Sequence, residues 1–357
     1  MLDNRQIEFL TEILRTNSPS GYEKQLMYVL KEHMDSVCSI KTDCIGNLYM
    51  YSSNKGPMTI MISAHADEVG FQITDIDNNG FVYARSIASP DKQTISGNIV
   101  TAITKNGEIQ GVIGKKPPHI IEYKERDKCL GIEDLWIDFG FETKEEAESY
   151  VECGDYITLF SEPRFTSNNN RIISKALDNK IGVFIMSEVM RRICQLNIPL
   201  SVVGVATVQE ELGCRGSIVS SNIVVPDVAF CIDVGISTDI PNISSKNYGS
   251  FDLGKGVGII RNADNNEFLT KTLIDIANAN GISYQKIIGH RSTGGTEASH
   301  IQLSQQGIAT ANVSIPNRYM HSLVEMCDLR DVESAINLLV AEMQELTKHN
   351  KSDFYLF

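Results

Sequence analysis

The chain has 357 residues, 42% hydrophobic and 22% charged, enough for a sizeable core in one large or two medium domains. A net charge of −13 and a sequence pI of about 5.1 exclude the basic surface that phosphate binding needs, so nucleic acid is not an expected partner. No apolar run approaches the ~20 residues that span a bilayer. The opening Met1-Leu2-Asp3-Asn4-Arg5 has no cationic segment leading into an apolar one. No membrane partner and no secretory leader are therefore expected, and the expected compartment is the cytoplasm.

Residues 5–16 carry Ile7, Leu10, Ile13 and Leu14 at helical spacing, and Ser18-Pro19-Ser20-Gly21 ends that helix. A second helical pattern follows, with Leu26, Val29, Leu30 and Met34. Gly46-Asn47 reads as a turn between short strands, and 59–63 as a buried strand ending at Ala64-His65-Ala66-Asp67-Glu68. From 71 to 160 the texture changes to short β-type runs: 71–76, 81–85, 99–103, 109–113, 136–139 and 156–159. Asn78-Asn79-Gly80 and Asn106-Gly107 punctuate them, and one charged helical stretch (143–149) interrupts. This predicts a small β-barrel-like or sandwich domain. After Ser167-Asn168-Asn169-Asn170 the chain alternates: helix 180–196, strand 201–208, strand 228–234, helix 267–279, strand 308–315, helix 332–346. The predicted fold is α/β, with a catalytic-type domain of 1–70 and 161–357 and a β domain of 71–160 inserted in it.

Eight cysteines lie at 38, 44, 129, 153, 194, 214, 231 and 327, with no C-x-x-C pair. A cysteine zinc site is not indicated, and reduced, buried, inert thiols are the simplest expectation.

Residues with metal chemistry stand at the ends of the apolar runs. His65 and Asp67 follow the first strand of the α/β part. Asp178 precedes a helix, in Leu177-Asp178-Asn179. Glu210 and Glu211 follow the next strand, Asp233 ends 228–234, and His321 follows 308–315. Taken singly, each has a bland reading: a solvated acidic turn for Glu210-Glu211, a helix N-cap for Asp178, a hydrogen-bonded loop histidine for His65 or His321. Their recurrence is more informative. A parallel sheet gathers the carboxyl ends of its strands at one edge. Two histidines with several carboxylates form a ligand set for a pair of zinc, cobalt or manganese ions. A shared carboxylate can hold two such ions ~3.5–4 Å apart.

His65-x-Asp67-Glu68, Leu177-Asp178-Asn179, Glu210-Glu211-x-Gly213-x-Arg215-Gly216, Asp233 and His321 together resemble the glutamyl/tetrahedral (TET-type) aminopeptidases, a family of two-metal peptidases. Pro19-Ser20-Gly21-x-Glu23, Gly254-Lys255-Gly256 and Gly295-Thr296-Glu297-Ala298 add to the likeness, which runs over essentially the whole chain. The resemblance implies a mixed-sheet di-zinc exopeptidase domain with an inserted β-barrel serving oligomerisation or substrate access. It implies two divalent ions per subunit. Asp178 would bridge them, with His65 and Asp233 completing one site and Glu211 and His321 the other. Glu210 would be the general base and Asp67 the carboxylate that orients a ligand imidazole. It further implies short peptides as substrates and self-association, commonly as a tetrahedral dodecamer. The family's usual Asp is replaced here by Glu297, which touches no ligand in this mapping but bears on specificity.

Hydrolysis would then use a water between the ions, acidified from 15.7 toward ~7, with Glu210 taking its proton and passing it to the leaving amine. A Glu210→Gln variant is expected to keep metal and lose turnover by several orders of magnitude. Competing readings are a related two-metal deacylase, carboxypeptidase or dipeptidase, and a non-catalytic cation-binding protein. A glycan hydrolase could use Glu210 and Glu211 but would leave His65, Asp178, Asp233 and His321 unexplained. The glycines of 249–258 form no phosphate loop, since no G-K-[ST] follows, and tight turns or approach to a neighbouring subunit are the reading. Arg261 and Arg291 could face an acidic substrate side chain, or be solvated. Glu297 and His300 could share a helix face, a structural hydrogen bond being the simpler use. The stretch 292–296 reads as a flexible loop, and His33, His119, His290 and His349 have no role.

Overall fold

The computed structural model describes residues 2–125, 128–289 and 295–355. Helices α1 (Asn4–Arg15) and α2 (Lys24–Met34) lead into strands β1 (Ser39–Thr42), β2 (Leu48–Tyr51) and β3 (Thr59–His65). Six strands follow: β4 (Gly70–Ile76), β5 (Val82–Ile87), β6 (Ile99–Thr104), β7 (Gly107–Gly114), β8 (Trp136–Asp138) and β9 (Tyr156–Leu159). Helix α3 (Lys144–Tyr150) lies among them. The chain then runs through β10 (Arg164–Phe165), β11 (Arg171–Ser174), α4 (Leu177–Ile193), β12 (Ser201–Thr207), α5 (Arg215–Val224), β13 (Val228–Ile236) and α6 (Ser245–Tyr248). It closes with β14 (Val257–Ile260), α7 (Glu267–Asn280), β15 (Tyr284–Ile287), α8 (Ala298–Ile301), β16 (Ala309–Asn317), β17 (Glu325–Asp328) and α9 (Leu329–Leu346).

One eight-stranded mixed sheet organises the α/β part, in the order β1-β2-β12-β3-β13-β16-β14-β15. Its central strands β12, β3, β13 and β16 are mutually parallel, while β2 and β14 join antiparallel. These strands are continuous apolar runs because both faces are covered. Alternate residues sort to the two faces. Ile60, Ile62 and Ala64 pack in the large core with Phe184 of α4 and Leu338 of α9. Met61, Val205, Ala229 and Cys231 pack with Ala298 and Ile301 of α8. Thr207 pairs with His65 and Asp233 with Ser314, so the ends of the parallel strands meet at one edge.

Strands β4 to β9 close into an antiparallel barrel, ordered β4-β5-β8-β7-β6-β9, around a core of its own that includes Phe71, Val82, Val100, Ile137 and Ile157. The texture change after Gly70 thus marks a barrel. Closure leaves no open sheet edge to manage.

Helix α5 and the small sheet β10-β11-β17 have weak sequence signals. The buried stripe of α5 is Gly216, Ser217, Ser220 and Ser221, while its Ile218 and Ile223 are exposed, so apolar periodicity points the wrong way. The glycine-rich segment is a turn: Gly254 (φ 77°) and Gly256 (φ 103°) sit in the left-handed region, and both N–H groups donate to the Asp331 carboxylate at 2.7 Å. The cysteines depart from expectation: all are free, but Cys44, Cys129 and Cys153 are exposed. Among the described residues no helix is long and apolar enough to cross a membrane.

Candidate metal centre

Every predicted site residue lies at the shared edge of the parallel strands. His65 is the last residue of β3, Asp233 lies within β13, and Glu210 and Glu211 follow β12. Asp178 stands at the start of α4 but off the helical path, with extended backbone (φ −78°, ψ 106°); the residue capping the element is Ala176, in left-handed conformation with no side-chain cap bond. The N-cap reading of Asp178 therefore fails, because its carboxylate turns toward the two imidazoles.

Two groups of side chains are each able to hold a metal ion: His65, Asp178 and Asp233, and Asp178, Glu211 and His321. Asp178 belongs to both. Its Oδ1 lies 3.2 Å from His65 Nε2 and its Oδ2 3.3 Å from His321 Nε2. Asp233 Oδ1 is 3.7 Å from His65 Nε2, and Glu211 Oε1 is 3.1 Å from His321 Nε2. The first group is wholly buried, whereas Glu211 and His321 are half-buried. Glu210 belongs to neither group; its Oε2 is 3.9 Å from His65 Nε2, and its Oε1 accepts from the Cys214 thiol at 3.2 Å.

Buried carboxylates fix the backbone beneath these groups. Asp67 accepts the N–H of Glu210 (2.9 Å) and of Glu211 (3.1 Å), takes the Ser20 hydroxyl at 2.6 Å, and approaches His65 Nδ1 at 3.3 Å. That last contact is an ion-pair approach without hydrogen-bond alignment. Glu23 accepts the N–H of Gln209 at 3.0 Å, and Glu325 those of Asp178 (2.8 Å) and His321 (2.7 Å). Gln209 (φ 56°), Ala176 (φ 55°) and His321 (φ 62°) adopt the left-handed conformation that non-glycine residues avoid. Such backbone leaves N–H groups outside any regular ladder, and these carboxylates satisfy them.

The inserted barrel also reaches the site. The Ser89 carbonyl is 2.8 Å from His321 Nδ1, and the Asp91 N–H donates to the His321 carbonyl at 3.0 Å. A ring N–H given to that carbonyl leaves Nε2 free to ligate.

Comparison with known proteins agrees with this geometry. A sequence profile described as M42 glutamyl aminopeptidase matches residues 46–338. The chain belongs to the M42 aminopeptidase family. It is 32% identical to the lysyl aminopeptidase of Pyrococcus furiosus over 348 residues, 95% of this chain and 97% of that one. A TET aminopeptidase from a marine-sediment Thaumarchaeota archaeon superposes with a TM-score of 0.91 at 31% identity, covering 96% and 97% of the two chains. The Pyrococcus horikoshii TET1 peptidase, described as assembling into a tetrahedron or a large octahedral shell, gives 0.84 at 30% identity over 94% and 98%. Family membership makes the chain a metallo-aminopeptidase, a hydrolase of peptide bonds.

The electrostatics of this M42 aminopeptidase fit divalent ions. Burial disfavours a charged imidazole, yet Asp178 and Glu211 carry His321 up to about 11. His65 is likewise raised, against burial, by Glu210, Asp178 and Asp233. Burial lifts Glu210 well above the usual carboxylate range, helped by Asp233, Asp67 and Glu211 and opposed by His65. Glu211 and Asp233 are raised too, mainly by burial. So dense a set of buried acids calls for positive charge, which divalent ions supply.

Beside the site, Glu68 is buried between two ammonium groups, Lys175 at 2.6 Å and Lys180 at 2.7 Å. Burial opposes its charge, but the two lysines hold it at about 2. Those lysines bracket Asp178 in sequence, so the ion cluster pins both sides of the turn that carries it.

Sequence reasoning missed Glu325, Lys175, Lys180 and the Ser89 carbonyl. A glutamate four residues after a candidate ligand is the available signal for Glu325, and it is weak. Glu297 is buried beside the centre, accepting the Thr207 hydroxyl at 2.5 Å; burial pushes it to about 7. Its link to His300 is a structural hydrogen bond through the backbone, His300 N–H to the Glu297 carbonyl at 3.0 Å. Arg261 pairs with Glu267 on the exposed surface. His290, Arg291 and the stretch beginning at Ser292 lie outside the described residues up to Gly294.

Proposed function

We propose that this chain removes N-terminal residues from short peptides with two divalent ions, zinc or cobalt and alternatively manganese, in the two side-chain groups. The observation that carries this reading is Asp178, whose two oxygens face the two imidazoles. In this reading Asp178 is shared, His65 and Asp233 complete one site, and Glu211 and His321 complete the other. The chemistry that ions held by these residues would supply is acidification of a water and polarisation of the scissile carbonyl.

Glu210 stands outside both groups. It accepts a proton at a carboxylate oxygen and returns it to the departing amine, keeping the same group as base and then acid. Asp67 keeps the His65 ring in place and holds the backbone of Glu210 and Glu211. The carboxylates around the centre offer a partner for the free α-amine of a peptide, which favours action at the N-terminus.

The domain division of 1–70 with 161–357, and 71–160 inserted, belongs to the same reading, as does self-association, in line with the assembly described for the Pyrococcus horikoshii relative. Eight free cysteines suit the reducing cytoplasm, where the enzyme is placed in this reading.

The test is a panel of aminoacyl-anilides offered to enzyme loaded separately with zinc, cobalt and manganese. Cleavage that stops with chelator and needs a free α-amine is expected. Preferential cleavage of N-acyl amino acids would replace this reading with a deacylase.

A further inference from the structure

Glu325 is the first residue of β17, is 2% exposed, and is paired with Ser174 of β11. Its Oε2 accepts the Asp178 N–H at 2.8 Å and the Asn317 amide at 3.3 Å; its Oε1 accepts the His321 N–H at 2.7 Å. One carboxylate therefore ties together two segments at the centre, 143 positions apart between Asp178 and His321. Both segments carry left-handed backbone, at Ala176 and at His321 itself. Without the carboxylate, two buried N–H groups would lose their acceptor, and nothing in a strand or helix ladder would replace it. His65 and Asp233 stand on strands already fixed by the sheet.

We propose that Glu325 is a positioning residue for the Asp178–Glu211–His321 site. It sets the separation of the Asp178 carboxylate and the His321 imidazole through their backbones and does not ligate an ion. This rests on the two-ion reading above. Its consequence is unequal: Glu325 holds two ligands of the second site, Asp178 and His321, but only the shared Asp178 of the first, so its loss loosens the second ion more than the first.

Two variants test it, Glu325→Gln and Glu325→Ala. Glutamine keeps the size and one acceptor oxygen, so it protects against simple misfolding; its NH2 faces one of the two N–H groups. Cobalt is titrated into metal-free protein against a competing chelator, and the affinity of each site is read from absorption. Glu325→Gln is expected to weaken the second site by about 10–100-fold, the range for partners that orient ligands, and the first site, which depends on Glu325 through Asp178 alone, by clearly less. Turnover should fall at limiting metal with KM unchanged, and recover at saturating cobalt. Equal weakening of both sites would overturn the proposal in favour of a general structural role, and so would parental affinity at both. A parent that binds a single ion would overturn the two-ion reading itself, and the proposal with it.

Discussion

His65 and Asp233 stand on strands, at the end of β3 and within β13, whereas Glu211 and His321 stand on loops. The strand-borne half is fully buried, and the sheet ladder fixes its backbone. The loop-borne half is half-buried, and His321 retains 26% side-chain exposure. Here the backbone leaves the allowed right-handed regions, and buried carboxylates take over the work of a ladder. Regular structure positions a ligand at little cost; a loop ligand needs a dedicated acceptor beneath it.

Four substitutions break or sharpen this contrast. The largest effect belongs to Glu210, which is in neither ligand group and whose Oε2 lies 3.9 Å from His65 Nε2. Glu210→Gln should keep both ions by metal analysis and lose kcat by about 10²–10⁴-fold, the range for a positioned acid–base group. Retained turnover would remove Glu210 from the chemistry.

Next is Glu68, which anchors the Asp178 turn from the strand side. Glu68→Gln leaves two buried ammonium groups unneutralised and should cost roughly 3–5 kcal/mol in urea unfolding, the range for breaking a buried ion pair. A loss below about 1 kcal/mol, the scale of an exposed pair, would show the cluster to be solvated.

Asp67→Asn reaches both halves, through the His65 ring and the Glu210 and Glu211 N–H groups. Metal affinity or kcat/KM should fall by about 10–100-fold, as for other groups that orient ligands. An effect confined to one site would show that Asp67 serves only that half.

The smallest effect lies away from the centre. Glu342 is fully buried in α9, one oxygen taking the Thr272 hydroxyl at 2.7 Å and the other without a partner. Burial raises it from 4.5 to about 8. Between those values the folded chain holds a proton that the unfolded chain has released, so stability falls as pH rises. Its contribution is fully present below about 4.5 and lost as pH approaches about 8. Glu342→Gln should flatten this slope by up to about 1.4 kcal/mol per pH unit in denaturant titrations of metal-free protein. An unchanged slope would place the proton elsewhere.

The strand-borne half was the more legible in sequence. Residues 59–63 and 228–234 are apolar runs long enough to announce buried strands, and ligands at their ends follow from parallel topology. Glu211 and His321 also follow apolar runs, 201–208 and 308–315, but their place in a ligand set rests on the resemblance, because His321 stands beyond its run after a short loop. Its clamp was not found at all. Glu325 looks like any glutamate until the N–H groups of Asp178 and His321 are seen to converge on it. Helix α5 escaped for a related reason: serine and glycine, and not apolar residues, form its buried face. Sequence carries burial patterns well and hydrogen-bond debts of irregular backbone poorly.

The two halves are joined by Asp178, and counting bound ions tests that join directly. Metal-free parent, His321→Ala and Asp178→Asn would be dialysed against cobalt and analysed for metal per subunit, with folding checked by circular dichroism. The expected result is two ions for the parent, one for His321→Ala, and fewer than one for Asp178→Asn. An Asp178→Asn protein that keeps as many ions as His321→Ala would contradict a shared carboxylate and leave the two halves as separate sites.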